Sequence, residues 1–69
     1  MIEIFKTNVD TVRQAETILT LLHRHFPSTE INFDLEDCDK ILRVKGEKIC
    51  SSCIIRVLMI KGIECLVLE

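Results

Sequence analysis

Sixty-nine residues with 48% apolar side chains make one small domain, 1–69. Its core has to be dense, because a chain of this size buries only about 60% of its unfolded surface. Nine Lys and Arg against eleven Asp and Glu leave a net charge of −2, which supplies no basic field for a phosphate backbone and excludes nucleic acid as an expected partner.

The chain opens on "MIEIFKTNVD", which lacks the basic-then-apolar order of a secretion signal, and no apolar run approaches the ~20 residues of a membrane span. The expectation is a cytoplasmic protein with no membrane partner, whose four cysteines are reduced and therefore free for metal, redox work or packing. Ile2 and Ile4 alternate with Glu3 and predict a first strand with one wet face.

Residues Thr11 to Phe26 form the clearest helix. Val12, Ala15, Ile18, Leu19, Leu22 and Phe26 recur at three- and four-residue steps and make an apolar stripe. Asp10 or Thr11 can cap its start, with Gln14 placed for a capping box, and Pro27 follows its last turn. In "EINFDLE", Ile31, Phe33 and Leu35 alternate with polar residues, and "EDCD" then turns the chain into "KILRVKG". These segments predict a hairpin of Ile31–Leu35 with Ile41–Val44.

The stretch "IIRVLMI" is too uniformly apolar for periodicity to decide between strand and helix. A strand turning at Lys61 and Gly62 is one reading. Ser51 or Ser52 as N-cap and Gly62 just past the last turn favour a helix instead. "IECLVLE" closes the chain as a strand. The order is then β-α-β-β-α-β, and right-handed crossovers fold it as a ferredoxin-like α+β domain. Its expected form is a four-stranded antiparallel sheet in the order 4-1-3-2 with both helices on one face.

With that order, "IEIFKTNV", "INFDLEDCDKILRV" and "GIECLVLE" together resemble the heavy-metal-associated, metallochaperone-like superfamily, in a short stand-alone form. The resemblance covers nearly the whole chain and implies a non-enzymatic domain that handles soft metal ions. Typical members hold copper, zinc or cadmium with Met-x-Cys-x-x-Cys between the first strand and first helix. Here that loop is "KTNVDTV", Lys6 to Val12, which has no sulfur, so no family ligand carries over.

The sulfur chemistry lies elsewhere. Cys50 and Cys53 form a Cys-x-x-Cys pair at the expected start of the second helix, where free N–H groups and the helix dipole stabilise thiolates. Cu(I) and Zn(II) prefer such ligands, and Cys50 and Cys53 are the metal ligands expected here. The same two thiols also suit disulfide exchange, and the plainest alternative is that they only pack. The spacing Cys-x₁₁-Cys-x₂-Cys-x₁₁-Cys invites a closed four-sulfur zinc site. A helix of about ten residues, ~15 Å long, would keep Cys50 and Cys65 too far apart for it.

Cys38 and Cys65, with Asp37 or Asp39, could form a substitute site at the opposite pole, although Cys65 reads better as packing. His23 and His25 stand roughly 200° apart on their helix and read as separate surface residues. Glu3, Asn32, Asp34, Arg43 and Lys45 are expected on the helix-free face, and Phe5, if it shares that face, would be its one exposed anchor. That open face, or an edge strand, is where a protein partner would bind if the domain is an interaction module with structural cysteines.

Overall fold

A computed structural model describes residues 1–68. The order is β1 (Ile2–Thr7), α1 (Val12–His25), β2 (Glu30–Asp34), β3 (Ile41–Lys45), α2 (Ser51–Ile60) and β4 (Cys65–Val67). All strand pairs are antiparallel and the sheet runs β2-β3-β1-β4, which is the expected 4-1-3-2 read from the other edge. The residues read as either strand or helix after Cys50 are helical, so the β-α-β-β-α-β plan holds.

Local chemistry explains the helix ends. Thr11 caps α1, its hydroxyl accepting from the Gln14 N–H at 3.1 Å while Gln14 Oε1 accepts from the Thr11 N–H at 3.2 Å. Both halves of the capping box are therefore present. At the end of α2 the Ile63 N–H donates to the Leu58 carbonyl and the Gly62 N–H to that of Met59, each at 2.9 Å. This is a Schellman closure, and it requires the left-handed φ of 75° at Gly62. The start of α2 corrects the expected cap: Cys50, rather than Ser51 or Ser52, is the N-cap residue.

Both helices pack into a single core, which unites Ile18 and Leu22 of α1, Ile54 and Leu58 of α2, and Phe5, Leu42 and Val44 of the sheet. Val12, expected in the stripe of α1, is 65% exposed, whereas Ala15, Ile18 and Leu22 of that stripe are buried. The parity of β1 also differs from expectation. Phe5 is paired with Leu42 and fully buried, and Glu3 is paired with Val44, so both lie on the helix-covered side and not on the open face. Ile2 and Ile4 take the open face instead, opposite Lys45 and Arg43.

Asn32, Asp34, Arg43 and Lys45 are exposed as expected, and Arg43 reaches Asn32 Oδ1 at 3.5 Å. Thr7 is the one buried polar side chain among the described residues. Its hydroxyl donates to the Lys40 carbonyl at 2.6 Å and accepts from the Val9 N–H at 3.3 Å, tying the β2–β3 turn to the end of β1. Among the described residues no helix is long and apolar enough to cross a membrane.

Candidate dithiol site

The strand-helix crossovers set the site's position. β1 and β3 are antiparallel and each is followed by a helix that runs back across the sheet, so α1 and α2 are antiparallel. The last turn of α1 therefore lies beside the first turn of α2. Cys50 caps α2 and Cys53 is its third residue, and both side chains are exposed.

Their Cα atoms are 5.3 Å apart, a separation fixed by one turn of helix, and the two sulfurs are joined as a disulfide, which corrects the expectation of four reduced thiols and leaves Cys38 and Cys65 free. That separation falls within the range a disulfide spans without backbone movement. Neither sulfur is sealed in the core, so packing does not account for the pair. Ser52 Oγ lies 3.5 Å from Cys50 Sγ.

The electrostatics of this corner run against those of the whole chain. The cap makes no side-chain hydrogen bond and the first turn carries no acidic residue, so the positive end of the helix is uncompensated. A cleft of about 420 Å³ opens beside Cys53, with His25 and Phe26 on one side and Arg56, Val57 and Ile60 on the other. No carboxylate lines it. The sequence alone places His25 as a separate surface residue. The antiparallel helices bring it to the cleft of Cys53, which lies 28 positions away in sequence, and the only signal for this was the element order itself.

The other two cysteines stand apart. Cys65 is buried in β4 opposite Thr7, and burial pushes its thiol from 9.0 up to about 11. It stays a neutral packing residue. Cys38 is exposed in the β2–β3 turn, where its sulfur and the carboxylates of Asp37 and Asp39 lie within 4.8 Å of one another. Cys65 does not join them among the described residues, in keeping with its reading as a packing residue.

Those carboxylates already serve the turn: Asp37 Oδ1 accepts from the Asp39 N–H at 2.8 Å, and Asp39 pairs with Lys6 at 3.6 Å. Four-sulfur zinc is ruled out on this geometry, since Cys50 and Cys53 are tied to each other at one end of α2 and Cys65 follows its other end. His23 and His25 do not converge on an ion with any third ligand among the described residues. Comparison with protein-family models, curated proteins and solved structures gives no match.

Proposed function

We propose that the protein is a small, non-enzymatic, cytoplasmic domain whose reduced Cys50 and Cys53 hold a soft d¹⁰ ion, Cu(I) or Zn(II), in the manner of heavy-metal-associated domains but from a different corner of the fold. The observation that supports it most is the exposure and close approach of the two sulfurs at the uncompensated N-terminus of α2. Thiolate ligands have to be deprotonated to bind, and a helix start with no acidic residue in its first turn favours that state. Two sulfurs satisfy the low coordination number of Cu(I), while Zn(II) would complete its tetrahedron with outside ligands.

Native mass spectrometry of the reduced protein, mixed with micromolar Cu(I) or Zn(II), tests this reading. One ion per chain should be retained and then lost in the Cys50→Ser, Cys53→Ser variant. A wild-type chain that retains neither ion refutes it.

A second reading is a protein-interaction module, and the open sheet face supports it. Ile2 and Leu66 are 56% and 65% exposed there. A partner bound through that face or through the β4 edge would lose affinity on Leu66→Lys and be indifferent to both exposed cysteines.

A further inference from the structure

The disulfide, the charge of the cleft beside it and the unequal surroundings of its two sulfurs together carry a second activity, independent of the metal reading. We propose that Cys50–Cys53 is a reversible thiol–disulfide couple that exchanges with a small anionic thiol, the mixed disulfide forming on Cys53.

The surroundings differ sulfur by sulfur. Cys53 borders the cleft of His25, Phe26 and Arg56, into which an attacking thiol can enter. Cys50 is the N-cap, where the first-turn N–H groups and the Ser52 hydroxyl 3.5 Å away stabilise a departing thiolate. Exchange is fastest when the leaving sulfur is the better stabilised anion. Access and leaving-group stability therefore point to the same assignment: attack at Cys53, departure of Cys50.

The preference for an anion follows from charge. The chain is net negative at −2, yet this cleft sets the Arg56 guanidinium beside the positive helix end and has no carboxylate in its lining. A negatively charged thiol is favoured at this corner over a neutral one.

The electrons balance as follows. A thiolate RS⁻ attacks Cys53 Sγ, the Sγ–Sγ bond breaks, and its electron pair leaves on Cys50. A second RS⁻ attacks the RS sulfur of the mixed disulfide, forming RSSR and releasing Cys53 as thiolate. Two thiols are oxidised by two electrons, the domain's disulfide is reduced, and the two protons shed by the thiols end on Cys50 and Cys53.

The test uses the full chain with Cys38→Ser, which removes the other exposed thiol. The oxidised protein is mixed with reduced glutathione, quenched in acid and mapped by peptide mass spectrometry. Glutathione should be found on Cys53 severalfold more than on Cys50. Rates of reduction by glutathione and by neutral 2-mercaptoethanol are then compared in this protein and in the same chain carrying Arg56→Glu. Arg56 is exposed, so the exchange leaves the fold intact.

The ratio of the anionic to the neutral rate should fall severalfold in the variant. A disulfide that glutathione does not reduce, equal adducts on both sulfurs, or an unchanged ratio overturns the proposal. Because metal retention is read separately on the reduced chain, failure of either reading leaves the other standing.

Discussion

Reducing the Cys50–Cys53 bond should weaken the domain without unfolding it, and the size of the effect follows from the loop it closes. The two cysteines are three positions apart, so the bond closes a loop of about four residues. The chain-entropy relation then gives about 6 cal/mol/K, or roughly 2 kcal/mol at room temperature. No native contact is expected to break on reduction, because the helix itself holds the two Cα atoms 5.3 Å apart and both sulfurs are exposed. For a domain of this size that loss corresponds to a fall in Tm on the order of 10 °C.

Thermal denaturation followed by circular dichroism, with and without a phosphine reductant, measures it. The reduced protein should melt cooperatively at the lower temperature, and the Cys50→Ser, Cys53→Ser variant should melt like it and ignore the reductant. A reduced chain with no cooperative transition would refute the reasoning. The bond would then be holding the fold together, and a pair that must stay oxidised cannot serve as a metal or exchange site.

Thr7→Val keeps the shape of a buried side chain but strands the Lys40 carbonyl and the Val9 N–H, and should cost about 1–3 kcal/mol in urea unfolding. Leu58→Ala empties a fully buried position shared by α2 and the sheet and should cost about 2–5 kcal/mol in the same assay. Cys65, whose folded value of about 11 lies above its unfolded 9.0, holds its proton longer when folded. Stability should therefore be level below pH 9 and fall as pH rises from about 9 to about 11, a slope that Cys65→Ala removes in pH-dependent unfolding. In native protein Cys65 should also resist alkylation under conditions that label Cys38, and react only after denaturant is added.

The number, order and type of the elements are legible in the amino acids alone, because each element carries a local signature. The three-and-four spacing of Ala15, Ile18 and Leu22, the Thr11–Gln14 box and Gly62 all act over a few residues. Even the ambiguous run after Cys50 was resolved by such signals, and the connection rules then left one sheet order. The Cys-x-x-Cys pair was legible for the same reason, since one helical turn sets the distance between its members.

Tertiary structure decided what depends on contacts between distant segments. The run Ile2, Glu3, Ile4, Phe5 places apolar residues on both sides of a strand, so alternation alone cannot say which side is buried. Register against Leu42 and Val44 buries Phe5, turns Glu3 inward with it, and leaves Ile2 on the open face. Likewise only the antiparallel packing of α1 on α2 places His25 beside Cys53 and makes a corner of a net-acidic chain locally positive. Turn signals and helical periods are written within a few residues. Strand parity and clefts are set by which distant surfaces meet, and no short stretch of sequence encodes that.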